Sequence, residues 1–429
     1  MTGMAMHTSS YLAIGVFGLS MFAIVTEKIH KTSVAILGAM LMVILGVESQ
    51  AVAFSHIDWN VIFLLIGMMV ITNITKRTGL FQYIAIRIAK FARGEPLAII
   101  ILLALATAAI SAVLDNVTTV LILVPITFLI AVELGVAPAP FVITLAMASN
   151  VGGTATLVGD PPNIMIGSAA GFGFVDFIFN NVPVILLNLV ALCAFVYFAF
   201  GRTMVVTNER KARILAFDDT KAIEDKPLLF KSLVVLGLVV AAFLFHSIVH
   251  IEPATIALSG AAVLLVLSGI GDVEGIFGEV EWTTILFFVG LFMIVGGLVE
   301  TGLIAGMSKA LLGATEGRVG VTTIVILWAS GILSGVVDNI PFVATMIPLI
   351  KDMGSSLGTA AIEPLWWALS LGACLGGNGT IIGASANVVA VGISRKNGHP
   401  ISFWDFTKYG ASFTVISLAI SSVYMLLRY

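Results

Sequence analysis

The chain repeats itself in register. Trp59, Gly67, Thr78-Gly79, Asp115-Asn116 and Pro125 recur as Trp282, Gly290, Thr301-Gly302, Asp338-Asn339 and Pro348, each pair 223 residues apart. At an offset of 224, Gly152-Gly153, Thr156, Gly159 and Asn163 recur as Gly376-Gly377, Thr380, Gly383 and Asn387. Chance does not hold register over such a length, so the fold is expected to be two copies of one unit.

Composition says what the unit is made of. Charged residues are 10% of the 429, against roughly 25% in a soluble globular protein. Apolar residues make up 59%, with 42 glycines besides. A soluble domain needs a charged surface that this chain cannot cover. That excludes a soluble enzyme, a disordered scaffold and a nucleic-acid-binding protein, and leaves a polytopic membrane protein.

Apolar runs of bilayer length fall near 11–26, 33–47, 59–75, 140–170, 182–200, 229–248, 254–270, 282–299, 363–392 and 409–427. The first, Tyr11 to Val25, has no Lys or Arg before it and no small-residue cleavage site after it, so a retained helix is expected. Runs 97–134 and 320–350 differ. Each is two short helices long and is interrupted by Asp115 or Asp338. Two full spans or one re-entrant hairpin fit such a run, since non-helical backbone at membrane depth is tolerated where it lines a cavity. In segment 80–93, Arg87, Lys90 and Arg93 recur three apart among mostly apolar residues, which predicts an interfacial amphipathic helix.

With the N-terminus outside, 17 of the 21 Lys and Arg fall in inside loops, as the positive-inside rule requires. The expectation is an integral protein of the inner (cytoplasmic) membrane with both termini outside. Thr207 to Lys226 is the long polar stretch and is expected to be a plain solvated cytoplasmic loop. The chain then divides into a first repeat, 1–205, a linker, 206–227, and a second repeat, 228–429. The first holds hairpin 97–134 and broken helix 140–170; the second holds hairpin 320–350 and broken helix 363–392. Five crossings per half is odd, so the second half enters the membrane from the opposite side. The expected fold is all-α and polytopic, an inverted repeat with about 10 spans and 2 hairpins whose tips meet near the midplane.

Asp115 and Asp338 head the candidate residues. A carboxylate inside a membrane segment costs at least a few kcal/mol and usually marks an ion or proton pathway. An Asp can also cap a broken helix, and one residue can do both. Asn116 and Asn339 share the tips. Thr118 and Thr119 follow in the first hairpin where the second has Pro341 and Phe342, so the repeat is chemically asymmetric. Two Gly-rich elements supply the other candidates: Asn150, Gly152, Gly153, Thr156 and Asn163 in the first, Cys374, Gly376, Gly377, Asn378, Thr380 and Asn387 in the second. Glycine permits unwound backbone, and Pro161-Pro162 cannot continue a helix. Unwound backbone at that depth offers its polar groups to a solute or cation. Close packing of small residues would explain some glycines but not the matched Thr and Asn.

Asp160 aligns with Ala384 and fits either ion coupling or an N-cap. Cys374 could touch a thiophilic solute or simply pack, while Cys193 reads as packing. The two cysteines form no disulfide framework and show no zinc spacing. His246 and His250 read as interfacial. Phosphate-loop, zinc-protease and Ser-His-Asp motifs do not occur, so no enzyme, cofactor or metal centre is expected.

Leu114-Asp-Asn-Val-Thr-Thr119, Gly152-Gly-Thr-Ala-Thr-Leu-Val-Gly-Asp-Pro-Pro-Asn163, Val337-Asp-Asn-Ile-Pro341 and Gly372-Ala-Cys-Leu-Gly-Gly-Asn-Gly-Thr-Ile-Ile-Gly-Ala-Ser-Ala-Asn387 resemble the ion transporter superfamily in its ArsB/NhaD branch. The match is to the permease group that includes the pink-eyed dilution (P) protein, and it covers nearly the whole chain. The resemblance implies a homodimer in the lipid bilayer. Each protomer would have a scaffold and a transport domain of hairpins and broken helices, moving as an elevator. Carboxylate transporters of the superfamily carry Ser-Asn-Thr at the tips, so Asp-Asn argues against a sodium-coupled dicarboxylate carrier. The resemblance implies a small-molecule or ion substrate, first of all proton-coupled efflux of arsenite or antimonite. The neutral trihydroxide would meet Asn, Thr and backbone groups while Asp115, Asp338 and Asp160 exchange protons. Its alternatives are Na⁺/H⁺ antiport and an anion pathway of the P-protein kind. It also extends to a soluble ATPase docking on the linker.

Overall fold

The computed structural model describes residues 2–26 and 28–429, with side chains from Ser9 onward apart from Thr203. Its first half runs α1 Thr2–Thr26, α2 Lys31–Ile44, α3 Gln50–Ser55, α4 Trp59–Lys76, α5 Leu80–Phe91, α6 Pro96–Ser111, α7 Asn116–Leu134, α8 Ala139–Gly153, α9 Pro161–Ala170 and α10 Phe174–Phe200. After α11, Asn208–Leu215, the second half runs α12 Lys226–Val249, α13 Pro253–Ser268, α14 Val273–Gly278, α15 Trp282–Glu300, α16 Leu303–Ala314, α17 Val319–Val336, α18 Asn339–Leu357, α19 Glu363–Gly376, α20 Ser385–Lys396 and α21 Phe403–Arg428.

Helix starts follow the local chemistry. Pro96, Pro161 and Pro253 open α6, α9 and α13, where a missing N–H costs nothing. Asp58, Asp115, Asp225 and Asp272 cap α4, α7, α12 and α14 by accepting from backbone N–H groups of the first turn. Gly79 and Gly302, paired in the repeat, both take φ in the left-handed region (+79° and +73°) at the turns into α5 and α16. A side chain is disfavoured there, which accounts for the matched Thr-Gly.

Among the described residues, eight helices are long and apolar enough to cross a membrane: α1, α4, α7, α10, α12, α15, α17 and α21. α7 and α17 are hairpin arms, while α2 and α13 are shorter than the expected spans, at 14 and 16 residues. The runs 140–170 and 363–392 are each two helices with an unwound stretch between.

α2 packs on α15, and α13 on α4, so each half lends a helix to the other. Both crossings are close because a glycine meets backbone: Gly67 against Ala257, Gly290 against Ala35. Hairpin arm α6 packs on α8, and α17 on α19. Gly152 lies against the Ala108 backbone and Gly376 against Gly331, so neither has room for a Cβ.

The linker departs from the plain solvated loop expected. It folds α11 and docks under the first half. Lys211 pairs with Glu95 at 2.5 Å, Arg210 donates to Leu134 O at 3.2 Å, and Glu224 N donates to Thr78 O at 3.0 Å. The amphipathic α5 forms as expected, and its Lys90 and Arg87 reach Asp219 of the linker at 2.6 and 3.2 Å. Its charges therefore have a protein partner as well as an interface to face.

Candidate functional site

Unwinding a helix at depth frees carbonyls that hydrocarbon cannot satisfy. Asn163, in the first turn of α9, donates to Thr154 O and Thr156 O at 3.1 and 2.9 Å, with Gly153 O at 3.4 Å. Asn387, in α20, donates likewise to Gly377 O and Thr380 O at 2.7 and 2.9 Å. Thr156 and Thr380 tie the same stretches to the hairpin carbonyls Ala112 O and Gly335 O. The matched Asn and Thr thus spend their donors on the breaks themselves.

A second set of amides joins the halves. Asn116 donates to Asn150 Oδ1 at 3.1 Å, and Asn150 donates to Asn378 Oδ1 at 2.9 Å and Asn387 Oδ1 at 3.0 Å. Ser370 donates to Asn163 Oδ1 at 2.7 Å, and the Cys374 thiol lies 3.5 Å from the same oxygen. Cys374 is fully buried behind α9.

The carboxylates converge beside this network. Asp115 caps α7 through the Thr118 N–H at 2.8 Å, and Thr119 Oγ1 donates to Asp115 O. Asp338 caps α18 through the Ile340 N–H at 3.1 Å. Its other oxygen accepts from Lys31 Nζ at 2.6 Å and Ser385 Oγ at 3.0 Å, and Lys31 also donates to Ser385 Oγ at 2.7 Å. Asp160 is wholly buried, with Asn339 and Cys374 as polar neighbours and Asp115 and Asp338 as charged ones. Neither of its oxygens forms a hydrogen bond of ordinary geometry among the described residues. Glu281, just ahead of α15, accepts from Thr284 Oγ1 at 3.1 Å and faces Asp115 and Lys31.

Asp115, Asn116, Asp160, Glu281, Thr284, Asn339 and Ser385 line one narrow cleft. Val117, Glu281, Thr284 and Ser385 also border a cavity of about 440 Å³, which Lys31 and Asp338 line as well. Asn116 Oδ1 and Asn339 Nδ2 are buried without a hydrogen-bond partner among the described residues. The structure therefore gathers four carboxylates near one ammonium.

Sequence reasoning did not single out Lys31, Glu281, Thr284 or Ser385. Glu281 was within reach: it precedes the repeated Trp282 as Asp58 precedes Trp59. Lys31 counted as an inside-loop charge, but it is the first residue of α2 and folds onto Asp338. Its repeat position holds Ala254, so the register carries no sign of it.

Residues 21–372 match the profile of the CitMHS family, described as a citrate transporter. An uncharacterized transporter of Mycobacterium tuberculosis, Rv2684, is 46% identical over 425 residues, covering 98% of this chain and 99% of that one. The human P protein is 32% identical, covering 97% of this chain and 59% of its own length. The crystal structure of the YdaH transporter of Alcanivorax borkumensis superposes with a TM-score of 0.57 at 15% identity, over 91% of this chain and 88% of that one. That likeness shows a shared fold.

Proposed function

The chain belongs to the CitMHS citrate transporter family, and on that premise we propose that it is a secondary active transporter in which protons and a cation, Na⁺ first, compete for the carboxylates Asp115, Asp160, Glu281 and Asp338. One observation carries this reading: a fully buried Asp160 beside two further aspartates, neither of its oxygens holding a hydrogen bond of ordinary geometry among the described residues. Desolvated like charges cannot all stay ionised without a cation, so protons and metal ions exchange there on comparable terms. The cleft is rich in acceptors, with the Asp160 oxygens and Asn116 Oδ1 free to ligate.

The charge balance also bears on cargo. Free citrate would bring three more negative charges to a site with one lysine, so it fits only in company with cations. Arsenite efflux, implied first by the resemblance, needs free donors for a neutral trihydroxide. Most of the matched amides are committed to backbone or to each other. The ArsB/NhaD-like placement remains part of this proposal, supported by the P-protein relative.

The architecture belongs to the same reading. The division at 206–227, the inverted repeat and a scaffold of α2, α4, α13 and α15 are supported by the reciprocal packing of those helices. Elevator motion is supported by a second cavity of about 410 Å³ at repeat-related elements, lined by Asn60, Ile164, His246 and His250. The positive-inside orientation puts the Lys31 cavity on the cytoplasmic side, an inward-open state. The homodimer and the ATPase rest on the resemblance alone.

The test uses everted vesicles with an acid-inside gradient and a pH-sensitive dye. Na⁺ should collapse the gradient in wild type and not in Asp160→Asn. Arsenite accumulation without a Na⁺ response would overturn the reading. Citrate uptake that requires a divalent cation would make the citrate–metal complex the cargo.

A further inference from the structure

Lys31 stands out because its surroundings treat it as a ligand. Asp338 Oδ2 and Ser385 Oγ accept from its ammonium at 2.6 and 2.7 Å, and the Phe287 ring lies 5.0 Å below it. A lysine ammonium is a compact point charge with three donors, the nearest a side chain comes to a bare cation. The two oxygens come from different elements, the tip of α17–α18 and the start of α20, while Phe287 is on α15 and Lys31 on α2. One ammonium therefore ties the proposed scaffold to the proposed transport elements. Lys31 borders the 440 Å³ cavity and its side chain is 29% exposed, so it has room to withdraw. At the first hairpin the repeat position of Lys31 is Ala254 and that of Ser385 is Pro161.

We propose that Lys31 is a tethered competitor of the transported cation, occupying Asp338 and Ser385 when the site is empty and displaced when a cation loads. This rests on the cation-exchange reading above. With Lys31 docked, Asp338 is neutralised and the empty site carries a compensated charge; with Lys31 withdrawn, the cation supplies that compensation. Loaded and empty forms then differ little in net charge, which lets either move past apolar surroundings at similar cost. No bond is made or broken; one cation replaces another on the same oxygens.

The test compares wild type, Lys31→Met, Lys31→Gln and Lys31→Arg, purified in detergent and checked for a single size-exclusion peak. Na⁺-evoked proton release is titrated at fixed pH. A lysine docked about nine-tenths of the time reduces apparent affinity about tenfold. Half-saturating Na⁺ should therefore fall about tenfold in Lys31→Met and Lys31→Gln, and stay near wild type in Lys31→Arg. In wild type itself, saturating Na⁺ should raise labelling of Lys31 by an amine-reactive reagent, read by mass spectrometry; this does not depend on any variant folding. Half-saturation within twofold of wild type in both neutral variants, or labelling indifferent to Na⁺, overturns the proposal while leaving the transporter reading intact. Absence of any Na⁺-evoked release in wild type overturns the cation reading, and the proposal with it.

Discussion

At the first hairpin tip Asp115 accepts from the Thr118 N–H, and Asn116 donates into the amide network at Asn150. At the second, Asp338 accepts from the Ile340 N–H but turns its other oxygen to Lys31 and Ser385, and Asn339 Nδ2 has no hydrogen-bond partner among the described residues. The duplicated Asp-Asn keeps the cap in both copies. What surrounds the cap comes from positions that did not stay matched, Lys31 opposite Ala254 and Ser385 opposite Pro161. A repeat thus carries backbone geometry faithfully, while single substitutions on neighbouring helices assign each copy its electrostatics.

The comparison breaks most severely if the unmatched Asp160 is dispensable. Asp160→Asn is expected to reduce Na⁺-evoked proton release at least about a hundredfold without loss of fold, since it removes a buried carboxylate whose oxygens hold no hydrogen bond of ordinary geometry among the described residues. A variant with wild-type exchange would shift the chemistry to the tips alone.

Next come the tips themselves. Asp338→Asn leaves Lys31 without its carboxylate and should cost roughly 2 kcal/mol, discounted from the buried-pair range because the lysine is partly exposed. Asp115→Asn should stay within about 0.5 kcal/mol, because Asn caps a helix nearly as well as Asp. Thermal unfolding of both in detergent reads the difference, and equal losses would erase the distinction between the tips.

A finer test compares the breaks. A Cβ on Gly153 would sit 2.5 Å from Gly159 O, whereas one on Gly377 would sit 3.1 Å from Gly383 O. Gly153→Ala should therefore cost about 1–3 kcal/mol and Gly377→Ala less than about 1, measured the same way.

The smallest effect lies away from the site, where Glu48 has only Gly271 as its repeat position. Burial, and then the like charge of Glu300, raises the Glu48 carboxyl from 4.5 to about 7; His56 Nε2 lies 3.6 Å away. The folded state thus holds this proton more tightly, so the group's contribution is complete below pH 4.5 and lost as pH rises through 7. Glu48→Gln should raise Tm by roughly a few degrees at pH 8, and the gain should vanish below about pH 4.5.

Much of this architecture is legible in the sequence because helix breaks have local causes. The paired glycines and the aspartates at the tips are short-range signals that the repeat says twice, and Pro161-Pro162 is another that it says once. The carboxylate cluster was legible for Asp115 and Asp338 for the same reason, and for Asp160 as an unmatched acid just ahead of Pro161-Pro162. Lys31 was not, because an ion pair spanning 307 residues leaves no periodicity behind. The role of Asn163 and Asn387 was only half legible. Their match marked them as important, but only the fold shows their donors aimed at the unwound carbonyls. The linker was misread because polarity alone does not separate a solvated loop from one whose charges have partners on the body of the protein.

The amide junction at Asn150 has a consequence for biogenesis. Its acceptors, Asn378 and Asn387, lie 228 and 237 residues further along the chain. While the chain is being inserted, Asn150 therefore sits in the bilayer with its donors unanswered until almost the whole of the second half has arrived. The first half cannot mature by itself; it must wait as a polar-cored intermediate for the segment that completes it. A truncated or stalled product would present those unanswered amides inside the membrane, a feature by which membrane quality control could tell it from the finished protein.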